Sequence, residues 1–478
     1  MIEPFAGTLC ADVAVIGSGP GGAVTAALCA EAGYSTLLVE EGPNLPLESS
    51  PHFSGEEILQ KYRGGGVTMA LGAPTLSYVE GRCVGGGSEV NRGLYHRTPA
   101  YVLEQWSQRY RIDDLTVESL RPHFEACEAT ATIAHLPGTP PDLSRRLGEG
   151  AEARGWSAIS APRLYDYAAG RKQSMSATFV PRFERAEGRL IADTRARRIH
   201  RSGGKWEVEA VHTLSDGEQR TMTILSDALF VSCGAVHTPA LLRSSGYRRN
   251  IGNSLRFHPM LKVVALFDEA VNLPGDPDPV HQIKMFEPRF GMGCSISSPP
   301  LLAMALAAHP AMRARIADEW RHMGLYYVQN GGGHGRVRSV PGLADPLVFI
   351  RHEEDELAAL YEGLQRLVEA LFAAGAKAVQ PCLPGFGLLT SEKDMAFLPA
   401  RLPRKSAAMS SVHVFASCPM GEERRLSATD SWGRIHDGEG LCIADASLMG
   451  GPTIANPQGS VMAIAHRNAL RAIERRFA

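Results

Sequence analysis

The feature that most constrains this chain is a glycine cluster, Gly17-Ser18-Gly19-Pro20-Gly21-Gly22, set between a strand pattern and a helix pattern. Asp12-Val13-Ala14-Val15-Ile16 reads as a buried strand. Residues 21 to 32 are small and apolar and read as a helix packed close to a sheet. Ser35-Thr36-Leu37-Leu38-Val39-Glu40 reads as the second strand. In such a β-α-β unit Gly17 makes the tight turn, Gly19 lets the backbone reach a pyrophosphate, and Gly22 lets helix and strand pack closely. The helix start presents free N–H groups to the phosphate. Glu40 ends the second strand, where a carboxylate accepts from two ribose hydroxyls. The unit predicts dinucleotide binding, and by itself it does not separate FAD from NAD.

The rest of the composition narrows the class by exclusion. The 478 residues suffice for a large core and roughly two to four domain-sized units. A formal net charge of −2 points to neither nucleic acid nor an anionic membrane surface as partner. Nine cysteines stand singly, with no C-x-x-C pair and no Cys/His cluster, so no metal is expected and a reducing compartment fits. The opening Met1-Ile2-Glu3-Pro4-Phe5 has no basic n-region, which argues against a secretory leader and for a cytoplasmic protein. The most apolar run, 301 to 308, is far short of the about 20 residues that span a bilayer, and reads as a helix packed in or near the core.

Along the chain, residues 64 to 98 are Gly-rich and loop-like, and 117 to 132 and 142 to 154 carry helical patterns. Between 195 and 233 the pattern is strand-like, with turns at Ser202-Gly203-Gly204 and Ser215-Asp216-Gly217. Residues 262 to 350 mix short strands with one helix near 300 to 322. Residues 353 to 375 form an amphipathic helix ended by Gly375, 441 to 445 a short strand, and 457 to 477 a final helix.

Further segments resemble one family. Gly81-Arg82-Cys83-Val84-Gly85-Gly86-Gly87-Ser88-Glu89-Val90-Asn91 is similar to the loop that lies along the flavin in glucose–methanol–choline oxidoreductases. Residues 234 to 246, Gly-Ala-Val-His-Thr-Pro-Ala-Leu-Leu-Arg-Ser-Ser-Gly, resemble that family's second signature, departing only where Tyr247 replaces an aliphatic residue. Ile251 to Pro259 resembles its G-x-x-L-x-x-H stretch. His413 to Gly421, then Ile443-Ala444-Asp445-Ala446-Ser447, then Asn456-Pro457-Gln458 follow in the family's order, nearest the cholesterol-oxidase-like branch with its His…Asn pair.

The resemblance implies an α/β fold: a Rossmann-like FAD-binding domain with a discontinuous substrate-binding domain, a sheet backed by helices. The FAD-binding pieces would be 8–134, 191–260 and 409–478, and the substrate pieces 135–190 and 261–408. It implies FAD as cofactor and the oxidation of a small-molecule alcohol, sugar-like or a natural product, with His413 as general base and Asn456 binding the substrate oxygen. Gly17, Gly19, Gly22, Glu40, Gly85, Gly86, Ser88, Asn91, Asp445, Pro457 and Gln458 would contact the cofactor. The start of the last helix would favour the anionic reduced flavin. Val90 stands where members with attached flavin carry a histidine, so non-covalent binding is expected. Ala416 and Ser417 replace the usual Gly and Thr or Gly after the histidine. His96 lies beyond the loop and reads as packing or surface. Read alone, Asn456 before Pro457 is equally an N-cap, and Asp445 a turn-former. Oxygen or another electron acceptor is not encoded in any residue type. The competing readings are a non-redox flavoprotein of the same fold, such as a hydroxynitrile lyase, and an NAD-dependent dehydrogenase.

Overall fold

The computed structural model describes residues 7–404 and 407–477. The unit around the glycine cluster forms as strand Thr8–Ile16, helix Pro20–Glu31 and strand Thr36–Val39. The helix is buried on every side from Gly21 to Ala30. It lies between the sheet and the last helix, Gln458–Glu474, so small residues all round suit it better than an amphipathic stripe.

Seven strands make the first sheet. Their order is 194–202, 205–213, 219–231, 8–16, 36–39 and 189–191, with Leu441–Ile443 beside the end of 219–231. The pairs from 219–231 through 8–16 and 36–39 to 189–191, and that of 441–443, are parallel, and the two on the 194–202 side are antiparallel. The turns expected at 203–204 and 215–217 separate these outer strands. Parallel strands buried on both faces need continuous apolar runs, as in Val13-Ala14-Val15-Ile16 and Leu229-Phe230-Val231.

A second sheet of thirteen strands is backed by the helix Glu354–Ala373, whose apolar stripe buries Leu357, Leu360, Leu364, Leu367, Val368 and Leu371 against it. Each such side chain removed from water contributes about 1.5–3 kcal/mol. The α/β architecture with two sheets backed by helices is therefore the one the sequence implies.

Residues 64 to 98 are mostly loop, as expected, and hold in addition two short strands of the large sheet, Thr68–Leu71 and Leu76–Tyr78. These are too short for their alternation to stand out. Two expectations need correction. The single helix near 300 to 322 is three, Pro299–Ala305, Pro310–Ala314 and Ile316–Glu319, followed by a 3₁₀ turn. Pro310 has no N–H to continue the first, so each restarts. Finally, the segments interleave more finely than the expected pieces. Strands 68–71, 76–78, 255–257, 409–411 and 414–415 join the large sheet although they lie within 8–134, 191–260 and 409–478. The last two carry His413 on the link between them.

Among the described residues no helix is long and apolar enough to cross a membrane. The apolar run at 301 packs Leu302 and Leu306 into a small separate core and leaves Met304 68% exposed.

Candidate active site

A cavity of about 940 Å³ runs between the two sheets. One end is backbone. Gly17, Gly19, Pro20 and Gly21 line it at the start of the first helix, with Glu40 and the Gly86–Gly87 loop alongside. A side chain at Gly19 would meet no protein atom and would project from this wall, so that space is kept for something else. Gly86, in the left-handed region at φ 55°, approaches so closely that a Cβ there would lie 2.9 Å from the Gly19 Cα. Glu40 accepts from Ser18 N at 3.0 Å, Ser18 Oγ at 2.7 Å and Gly42 N at 2.9 Å. These bonds hold the carboxylate in place and leave it capacity for a further donor. Burial pushes its pKa up, and the Ser18 and Gly42 bonds pull it back. Free helix N–H groups, an open glycine wall and a fixed carboxylate are what a dinucleotide requires. The cavity continues past them, as an FAD isoalloxazine would need.

Not every residue expected to touch the cofactor lines this cavity. Gly22, Gly85 and Ser88 lie behind it. A Cβ at Gly22 would meet Gly17 O at 1.9 Å, which is the close helix–strand packing foreseen for it. Ser88 donates to Gly85 O and accepts from Met175 N, bracing the loop from inside. Lys172, buried and lowered to about 7 by that burial, donates to Glu89 O and Asn91 O and holds the same loop. Asn91 lines the cavity and donates to Gln458 Oε1 at 2.5 Å, tying the loop to the last helix. Asp445 lines it too, but its carboxylate is occupied: it accepts from Gly234 N, Thr238 Oγ1 and Ser447 N, so the turn-forming reading describes its side chain. Pro457 and Gln458 line the far wall.

At the other end the wall is made of side chains. His413 Nε2 lies 3.3 Å from the Asn456 amide, and both line the cavity. Asn456 is not the cap of the last helix: Pro457 occupies that position, the helix starts at Gln458, and no side chain caps it. The amide reaches sideways instead, 3.3 Å from the Gln282 amide, which also lies 3.3 Å from Tyr327 Oη. Gln282 is in turn 2.8 Å from His96 Nε2. His96 is therefore neither surface nor mere packing, and burial lowers it to about 3. Behind His413 stands His258, fully buried, its Nδ1 2.8 Å from His413 Nδ1. Burial lowers His413 to about 4 and His258 well below the usual range. Sequence reasoning missed Gln282 and Tyr327 because they lie on unremarkable strands; His258 was visible in the G-x-x-L-x-x-H stretch without a role.

The protons in this chain can be placed. A backbone N–H only donates, so His258 Nε2, 3.1 Å from Ile454 N, is bare. Neutral His258 then carries its proton on Nδ1 and donates to His413 Nδ1, which leaves the proton of His413 on Nε2. The Asn456 amide must then turn its oxygen to His413, and the Gln282 amide turns with it, so that its oxygen accepts from Asn456 and Tyr327 and its nitrogen donates to His96, orientations reached by amide flips. Ile454 itself has φ 54°, rare for a β-branched residue and the kind of strain that collects at active sites.

Known proteins resemble this chain in sequence and in fold. The description "GMC oxidoreductase" matches residues 59–260 and 334–465, and "NAD(P)-binding Rossmann-like domain" matches 15–56. The chain is 35% identical over 480 residues to an uncharacterized GMC-type oxidoreductase of Sinorhizobium fredii, covering 97% of this chain and 94% of that one. It is 25% identical over 512 residues to a long-chain-alcohol oxidase of Arabidopsis thaliana, covering 97% and 68%. It is 23% identical over 551 residues to 2-methyl-1,2-propanediol dehydrogenase of Mycolicibacterium austroafricanum, covering 98% and 95%. In fold it is similar to pyridoxine 4-oxidase from "Mesorbium loti", with TM-score 0.75 at 18% identity, covering 97% and 99%.

Proposed function

Since the chain belongs to the GMC oxidoreductase family, whose cofactor is FAD, we propose that it oxidises the CH–OH group of a small-molecule alcohol to a carbonyl. The observation that carries the reading is the His413–Asn456 pair, 3.3 Å apart in the wall of a cavity whose other end is a glycine-lined cradle. Bound FAD supplies the hydride acceptor. The chain's own residues hold the substrate oxygen and manage its proton. With its proton on Nε2, His413 donates to that oxygen, and Asn456 positions it from the side. To take the hydroxyl proton, His413 must present a bare Nε2. That requires the Ile454 amide to leave His258, so that the pair's protons sit on His258 Nε2 and His413 Nδ1. The hydroxyl proton then passes to His413 as the C–H electron pair leaves with hydride. The strained Ile454 is the hinge of this exchange.

Val90 lines the cavity where the attached-flavin members carry histidine and offers no nucleophile, so FAD is held without a covalent bond. Acid precipitation of the purified protein should release the yellow colour to the supernatant; colour in the pellet would refute this. The oxidation itself is tested by adding primary and secondary alcohols and diols without oxygen. Bleaching of the flavin absorbance is expected. A carbon–carbon lyase of the same fold would leave the flavin oxidised, and bleaching by no alcohol would overturn the reading.

A further inference from the structure

Among the described residues the buried cations have partners. Lys61 donates to Pro46 O and Leu47 O, Lys172 to Glu89 O and Asn91 O, and Arg163 pairs with Asp278. Lys262 is different. It stands in the strand Met260–Leu266, is half-buried and lines the cavity. Among the described residues no carboxylate and no hydrogen-bond acceptor meets its ammonium. Burial accordingly lowers its pKa. An ammonium partly withdrawn from water and without a counter-charge favours an anionic ligand in the cavity it lines.

Its position relates it to the reacting end. Directly paired residues of neighbouring strands share a face. The pairs Met260–Gln329, Lys262–Tyr327 and Val264–Leu325 therefore follow one another along one face of the large sheet. At the first pair Gln329 donates to Ile454 O at 3.4 Å. At the second, Tyr327 Oη shares the Gln282 amide with Asn456. At the third the face turns apolar, and Leu325, Ile296 and Leu301 close the cavity. Lys262 thus stands directly opposite Tyr327, which Gln282 joins to Asn456, and just before the apolar end.

We propose that Lys262 receives an anionic group of the substrate, and that the alcohol oxidised here is a hydroxy acid. Its hydroxyl sits at His413 and Asn456, and its carboxylate sits at Lys262. A monoanionic carboxylate fits better than a phosphate. The cavity offers one ammonium at this point, without the fork of donors from arginine or a backbone nest that phosphate recognition uses. The inference rests on the alcohol-oxidation reading for the hydroxyl end, while the anion site stands on the unpartnered lysine.

The experiment uses the FAD-loaded protein and two readouts. Binding is followed by perturbation of the flavin spectrum with hexanoate and octanoate against their methyl esters, which carry no hydroxyl to oxidise. Reduction is followed anaerobically with 6-hydroxyhexanoate and 8-hydroxyoctanoate against 1-hexanol and 1-octanol. The carboxylates should bind about 10- to 100-fold more tightly than the esters, the range of a hydrogen bond to a charged group. The hydroxy acids should win in kcat/KM by a similar ratio. Lys262→Met should bring both ratios toward one, and Lys262→Arg, which keeps the charge, should retain part of them. Equal binding of acid and ester by the wild type, or a preference that survives Lys262→Met, overturns the proposal. If Lys262→Met does not fold, the wild-type binding ratio and Lys262→Arg decide. A Lys262-dependent carboxylate preference with no flavin reduction by any alcohol would keep the anion site and sink the oxidation reading instead.

Discussion

The two ends of the cavity are built from different materials. The dinucleotide end is backbone: glycines, helix N–H groups and one fixed carboxylate, almost all within the first 90 residues. The chemistry end is side chains, His96, His258, Gln282, Tyr327, His413 and Asn456, brought together from both ends and the middle of the chain. Backbone recognition depends on what is missing at a position, a Cβ, and so tolerates no addition. Side-chain chemistry depends on what is present, and so tolerates no subtraction. Substitutions at the first end should therefore change occupancy, and substitutions at the second should change rate at full occupancy.

The largest effect is expected at the glycines, where two neighbours separate folding from binding. A Cβ at Gly21 would lie 1.8 Å from Ala444 O, so Gly21→Ala forces the first helix off the strand end that carries Asp445. That variant should lose both flavin and stability. Gly19→Val meets no protein atom and should fold, yet fill the cradle and emerge colourless. Flavin absorbance per protein, with circular dichroism as the folding control, checks both. A yellow Gly19→Val protein would show that the cofactor does not approach this wall.

Next in size is His413→Ala. It should keep its flavin but reduce it about 10² to 10⁴-fold more slowly, the range for loss of a general base. In the wild type the acid limb of the reduction rate should lie near pH 4 rather than near 6.5, because burial lowers His413 to about 4. The variant should lose that limb. An unchanged rate with a reducing alcohol would end the assignment of His413.

Asn456→Ala should cost less, about 10- to 100-fold in reduction, with the pH profile unshifted because an amide does not titrate. Its unfolding midpoint should stay put, since Asn456 does not cap the last helix. A stability loss of about 0.5–2 kcal/mol with an intact rate would restore the capping role.

The same contrast explains what could be read from the chain. The dinucleotide end follows from local rules: a turn, a helix start and a strand end within about 30 residues make a βαβ unit. The sequence pattern already groups Gly17, Gly19 and Glu40, which line one end of the cavity. His413 and Asn456 were legible only through a family resemblance, because nothing around either residue announces a partner. Gln282 and Tyr327 were not legible, since their roles come from register between strands far apart in sequence. Strands 68–71 and 76–78 were missed for a related reason: with four and three residues, pairing rather than pattern defines them. Lys262 illustrates the limit from the other side. An isolated lysine between apolar residues looks like an ordinary exposed position of a strand, and only the surrounding sheet shows that it faces the cavity without a partner.

The smallest predicted effect tests whether acid attacks the chemistry end alone. A second pair of histidines lies in the cofactor scaffold, where His466 on the last helix meets His123 on the helix Val117–Ala131, Nδ1 to Nδ1 at 3.0 Å. Burial, and then the neighbouring His123, lower His466 to about 4. Burial also lowers His96 to about 3 and His413 to about 4. Each titrates near 6.5 when unfolded. Between about pH 6.5 and 4 the unfolded chain therefore binds protons that the folded chain refuses, and stability rises with pH across that window. It is fully present above about 6.5 and is lost as the pH falls toward 4. His466→Gln removes one of these groups without touching the cavity. It should leave the reduction rate alone and flatten the loss of stability between pH 7 and 4.5 by on the order of 1 kcal/mol, discounted because His466 is only partly shielded from solvent. Urea unfolding at the two pH values measures it. If the variant loses as much stability on acidification as the wild type, the acid-sensitive groups are those of the chemistry end, and His413→Ala should then flatten the curve instead.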